Sequence, residues 1–136
     1  MIQWTDDLAI GIGEIDAQHQ ELYRAVSALR EAMREHRLER VVQTVAFLEG
    51  YAVHHFAAEE RRMEAAGYPG LIHHRSIHRE FAKDFLRRKG NLASVGPTPS
   101  LVVEMSSWLG EWLRDHVRGL DAEMGRFLRA RSPFGT

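Results

Sequence analysis

Tyr51-Ala52-Val53-His54-His55-Phe56-Ala57-Ala58-Glu59-Glu60 (residues 51–60) sets a histidine and a glutamate four residues apart inside a run of small and apolar side chains. Residues four apart on a helix lie on one face, about 5–6 Å apart at Cβ. The same face continues in both directions through Val41, Val45, Leu48, Ala52, His55, Glu59 and Met63. That period is helical, and it predicts one long helix from about 38 to 66, ended by Gly67-Tyr68-Pro69-Gly70.

Three further stretches carry the same kind of stripe. Upstream, residues 15, 19, 22, 26, 29 and 33 predict a helix over about 15–36, with Asp16 as its N-cap and His19 on its apolar face. Downstream, Leu71, His74, His78, Phe81 and Phe85 predict a helix over about 71–89, with Gly90 as a stop. After a loop containing Gly96 and Pro97, Thr98 and Pro99 form an N-cap and first-turn pair. They open a helix over about 98–129 whose inward residues are Leu101, Met105, Leu109, Trp112, His116, Leu120 and Phe127. Residues 1–14 read as an extended arm with breakers at Gly11 and Gly13, and Trp4, Leu8 and Ile10 are available to pack on the body. The last residues, 131–136, are expected to fray. Short connections between four helices predict an all-α, up-down-up-down antiparallel four-helix bundle with an extended N-terminal arm, as one domain over 1–136.

Composition narrows the function classes. The chain has 136 residues and no cysteine, which removes thiolate metal sites and cysteine nucleophiles and fits a cytoplasmic location. Its 18 basic and 19 acidic residues are interspersed, so nucleic acid is not an expected partner. Neither a signal peptide nor a membrane span is expected, and the reading is of a monomer.

A lone histidine on an apolar face is ordinarily a hydrogen-bonded core residue. Here the coincidence repeats in all four stripes: His19, then His55 with Glu59, then His74 with His78, then His116 with Asp121. Burying that many unpaired ionisable groups would cost several kcal/mol for each ionised one, and a metal removes the penalty. Seven ligands exceed one coordination sphere. Two octahedral ions share twelve positions; five imidazoles and two bridging carboxylates fill nine and a bridging oxide or hydroxide two, leaving one open. His116 and Asp121 are five apart, about 140° beyond a full helical turn. Asp121 must then approach from the side, or the helix must be locally wound out. The mixture of imidazole and carboxylate suits iron. Carboxylates are fewer than in ferritin-like di-iron sites, which favours reversible oxygen binding over oxygenation.

These residues resemble those of the hemerythrin family. The likeness runs through Trp4, Gly11, Ile15-Asp16-Ala17-Gln18-His19, Tyr51 to Glu60, Met63, Gly67-Tyr68-Pro69, His74, His78, Phe81, and Trp112-Leu113 through His116 to Asp121. It implies two iron ions bridged by Glu59, Asp121 and an oxide or hydroxide, with His74, His78 and His116 on one iron and His19 and His55 on the other. It implies dioxygen as ligand and a role in oxygen storage, delivery or scavenging, rather than an enzyme. The alternatives are an oxygen- or redox-sensing module with an unidentified protein partner, or a di-iron enzyme acting on peroxide or nitric oxide. Leu22, Phe56, Trp112, Leu113 and Arg114 are the candidate walls of the oxygen pocket; Arg114 stands where relatives tend to have an apolar residue. His36, His54 and His73 lie off the stripes and read as surface residues before partners of a ligand; Glu60 and Glu64 read as a solvated face, with acceptors for a ligand imidazole as the alternative.

Overall fold

The computed structural model describes residues 3–131, and among them the chain is helical without strands. Residues 1 and 2 of the arm and residues 132–136, expected to fray, lie outside the described residues. A 3-10 turn at Asp6–Leu8 precedes α1 (Gly13–Arg34), α2 (Leu38–Ala66), α3 (Leu71–Val95) and α4 (Pro99–His116). A π-helical turn, Val117–Asp121, then leads into α5 (Ala122–Arg131). Val117 and Ala122 both keep right-handed helical dihedrals, so α4, the π turn and α5 are one continuous rod. Four rods result. α1 packs on α2 and α4, and α3 closes the ring between α2 and α4, which is an up-down-up-down antiparallel four-helix bundle.

Several boundaries fall where local chemistry places them. α1 starts at Gly13, so Asp16 sits inside the first turn instead of capping it. Its carboxylate accepts from the backbone N–H of Ile10 (2.8 Å) and of Gly11 (3.1 Å), which ties the arm to the helix. At the end of α2, Gly67 takes the left-handed conformation (φ 67°), and Tyr68 N–H reaches back to the Met63 carbonyl at 2.9 Å. α3 does not stop at Gly90. A glycine weakens an exposed helix without ending it, and the terminating residue is Gly96, whose φ of 101° an L side chain avoids. Thr98 caps α4 by accepting from Leu101 N–H at 3.2 Å, with Pro99 in the first turn.

The stripes of α1 and α2 are buried throughout. In the last rod Leu101 and Trp112 of the expected stripe are only partly buried, and after His116 the stripe shifts altogether. Leu120 and Phe127 are only partly buried, and Asp121, Met124 and Leu128 face the core in their place. The π turn is the cause, because one extra residue in the turn rotates everything downstream by about 100°.

The arm packs across the bundle through Leu8, Ile10 and Ile12, all buried. Gly125 of α5 permits this approach, since a Cβ there would lie 2.8 Å from the Ile10 carbonyl oxygen. Arg129 donates to the same oxygen. Among the described residues no helix is long and apolar enough to cross a membrane.

Candidate metal centre

The seven candidate ligands meet in one buried layer of the bundle. His19, Glu59 and Asp121 are fully buried and the other four are at most 6% exposed. Every imidazole presents Nε2 to a carboxylate, and the carboxylates divide them into two sets. Oε1 of Glu59 lies 3.5 Å from His74 and 3.1 Å from His78, while Oδ1 of Asp121 lies 3.0 Å from His74 and 3.1 Å from His116. The opposite oxygens face the other set: Glu59 Oε2 is 3.2 Å from His19 and 3.0 Å from His55, and Asp121 Oδ2 is 3.1 Å from His19. Each carboxylate thus spans two groups of nitrogens, three on one side and two on the other.

The donor set fits a pair of cations. Nε2 of His74, His78 and His116, Oε1 of Glu59 and both Asp121 oxygens find no hydrogen-bond partner among the described residues, although they crowd one another. Ligand atoms about 2.1 Å from an ion and at right angles about it stand about 3.0 Å apart. That is the spacing found here. Two overlapping groups of donor atoms satisfy it: Glu59, His74, His78, His116 and Asp121, each within 4.8 Å of the rest, and His19, His55, Glu59 and Asp121.

Asp121 reaches this layer because of the π turn. Of the two routes open to it from the sequence, the structure takes the wound-out helix, in which residues five apart share a face. Charge is balanced locally. Burial alone would lower the basicity of His19 and His74, but the close carboxylates of Asp121 and Glu59 outweigh it and raise both to about 9. Burial likewise opposes the charge on Glu59, yet His55, His19 and His74 hold its carboxyl well below the ordinary carboxylate range. Asp121 is also lowered: burial and Glu59 work against its charge, and His116 and His19 prevail. Protons on these imidazoles occupy positions that a cation would take, so metal binding here competes with protonation.

The far ring nitrogens orient the set. Nδ1 of His55 lies 2.7 Å from Gln18 Oε1, and Nδ1 of His78 lies 2.9 Å from Glu60 Oε2. Glu60 also accepts from Arg75 Nε at 3.1 Å. Of the two readings open to Glu60, the structure takes the less favoured one: at 23% side-chain exposure it is turned inward as an acceptor for His78. Gln18 belongs to the stretch that carries the resemblance, but the sequence assigned it no role. Its one signal is a neutral amide beside His19 on a face that α2 covers. Glu64, His36, His54 and His73 are exposed.

Above this layer the bundle is hydrocarbon. Leu22 is three residues after His19, Ala52 three before His55, Phe81 three after His78 and Leu113 three before His116, so antiparallel helices stack them as one layer. Val26, Leu48, Phe85 and Leu109 form the next, seven residues from the same four histidines. With Phe56 and Trp112 these two layers enclose a cavity of about 20 Å³. Phe56 stacks on His78 (3.9 Å between ring centres) and Trp112 on His116 (4.3 Å), joining cavity wall to centre.

Leu22, Phe56, Trp112 and Leu113 line that cavity, but Arg114 does not. One residue past Leu113 is about 100° further round the helix. Arg114 is exposed there and lines a hollow beside Tyr23 and Arg118.

Comparison with known proteins agrees with this geometry. The family described as Hemerythrin HHE cation binding domain matches residues 10–128. The bacteriohemerythrin of Stenotrophomonas maltophilia (strain R551-3) is 31% identical over 121 residues, spanning 89% of this chain and 77% of that protein. The myohemerythrin of Riftia pachyptila is 27% identical over 119 residues, spanning 87% and 86%. A crystal structure of a hemerythrin variant superposes with a TM-score of 0.85 over 94% of this chain and 97% of that one; at 19% identity it speaks for the fold. With the family pattern running through 10–128 and both carboxylates spanning two histidine groups, this chain belongs to the hemerythrin HHE cation-binding family.

Proposed function

We propose that this chain binds dioxygen reversibly at a non-haem di-iron centre, in oxygen storage, delivery or scavenging. One observation carries the reading: two carboxylates each offer opposite oxygens to unequal sets of imidazoles, three and two, beside a hydrocarbon-lined cavity. His74, His78 and His116 would hold one iron and His19 and His55 the other, with Glu59 and Asp121 shared. The iron pair would supply the two electrons that dioxygen binding draws on. The side with two imidazoles has fewer protein ligands and is the side for the incoming molecule.

The chain's own part is positioning and exclusion. Gln18 and Glu60 fix the tautomers of His55 and His78, so that Nε2 faces inward on both. Phe56 and Trp112 hold two imidazole planes by stacking. The cavity lining is entirely leucine, valine, alanine and aromatic rings, and about 20 Å³ admits a molecule the size of water or dioxygen but no organic substrate. A small apolar gas is favoured there over water, which needs polar partners.

The test is to load the protein with iron, reduce it without oxygen, admit oxygen and then flush with argon under optical spectroscopy. An absorption band that rises with oxygen and disappears under argon is the expected result. Direct, irreversible conversion to the ferric protein would overturn the carrier reading in favour of a sensor or enzyme.

A further inference from the structure

Away from the centre, a hollow of about 320 Å³ lies between α1, α4 and the arm. None of the seven candidate ligands lines it. Arg30 and Tyr23 of α1, Ser107 and Arg114 of α4, and Arg118 of the π turn do. Three guanidinium groups therefore share one small space with a single lining carboxylate, that of Glu111.

Two of the three cations have no acid partner among the described residues, and the third has an exposed one. Arg30 is half-buried and clamped by hydroxyls: its Nε donates to Ser106 Oγ at 3.0 Å and its Nη2 to Ser107 Oγ at 2.7 Å. Ser106 in turn donates to the Val103 carbonyl, which leaves its lone pairs for Arg30. Among the described residues neither Arg30 nor Arg114 forms an ion pair. Arg118 pairs with Asp7 at 2.9 Å, but both partners are more than half exposed, so water screens that pair.

A second observation concerns a residue that lines the same space. Tyr23 is 4% exposed, and its hydroxyl has no hydrogen-bond partner among the described residues. Buried hydroxyls normally find one. Burial raises this phenol to about 12, against the pull of Arg114 and Arg118, so it remains an O–H donor at any physiological pH. Guanidinium forks, a serine hydroxyl and a phenol are the donors that surround a compact oxyanion. Their volume suits a small ligand.

We propose that the hollow between α1, α4 and the arm is a binding site for a small oxyanion carrying two or more negative charges. Inorganic phosphate and a short dicarboxylate share the needed chemistry, and titration separates them. The iron-loaded protein is titrated by calorimetry with inorganic phosphate and, separately, with succinate at fixed ionic strength, while the visible spectrum is recorded. Saturable one-to-one binding of either, with an unchanged iron spectrum, is expected. Arg114→Gln should weaken it about tenfold or more, as loss of a charge-assisted hydrogen bond does. Tyr23→Phe should weaken it about threefold or more, and Arg87→Gln, on an exposed face of α3, should leave it unchanged. Binding of neither anion, or binding that is indifferent to both Arg114→Gln and Tyr23→Phe, overturns the proposal.

Discussion

His78 grips a carboxylate with each ring nitrogen: Nε2 is 3.1 Å from Glu59 Oε1 and Nδ1 is 2.9 Å from Glu60 Oε2. Adjacent residues on α2 thus reach one imidazole of α3 from both sides, and the acid that lies off the stripe fixes the aim of the ring. Outer partners of this kind are worth about 10–100-fold in metal affinity. Glu60→Ala should therefore raise the rate of iron loss to a competing chelator by about that factor, with Glu60→Gln, which keeps an acceptor, between it and the unaltered protein. Equal iron retention in all three would show that Glu60 does not orient the site.

The cavity above the centre sets a second expectation. Ala52 lines it, and a leucine at 52 adds three carbons to a space of about 20 Å³. Overpacking of this sort costs about 1–3 kcal/mol. Ala52→Leu should lower the melting temperature, keep the full iron content and slow oxygen uptake in stopped-flow mixing. Uptake at the unaltered rate in the fully loaded variant would take dioxygen out of this cavity.

Two glycines should respond in opposite directions to alanine. At Gly125 a Cβ would stand 2.8 Å from the Ile10 carbonyl and 3.0 Å from its Cβ, and the backbone of the arm has to move. At Gly90 it would meet nothing within 4 Å. Chemical denaturation should find Gly125→Ala less stable by about 1–3 kcal/mol and Gly90→Ala more stable by about 0.5–1 kcal/mol, the helix-interior preference for alanine.

Tyr23 supplies a pH dependence. Its folded-state pKa, raised to about 12 by burial, exceeds the value of about 10 of an unfolded tyrosine. A raised folded pKa means that the unfolded chain releases its proton first. The contribution is fully present below pH 10 and fades as pH climbs from 10 towards 12. Tyrosinate absorbance after a rapid alkaline jump should show a late-ionising phenol that Tyr23→Phe removes. Ionisation of every tyrosine near pH 10 in the folded protein would contradict the buried setting.

The residues show what a sequence exposes and what it conceals. Candidate ligands and core that repeat every three or four positions were legible as one buried face: His55, Glu59 and the α2 stripe are buried together because a regular helix puts them there. Partners that act across helices were not, since Gln18 to His55 and Glu60 to His78 depend on how neighbouring rods face, which no single period records. Asp16 and Gly90 misled because each has a local propensity that tertiary context overrode: Asp16 serves the arm, and Gly90 stays helical within α3. Arg114 was singled out from its place two before the last histidine, where relatives tend to have an apolar residue, with both orientations open; one step of helix past Leu113 turns it away from the cavity.

The π turn also bears on how this rod can be edited. Relative to an uninterrupted α-helix it is a one-residue insertion, after which Asp121, Met124 and Leu128 take up the inward face. Losing one residue within 117–120 would return the rod to a regular period with the residues on both sides still facing inward. Losing one anywhere else along α4 or α5 would turn one end by about 100° against the other. Length changes in the last helix thus have a single safe address, next to the carboxylate that both histidine groups share.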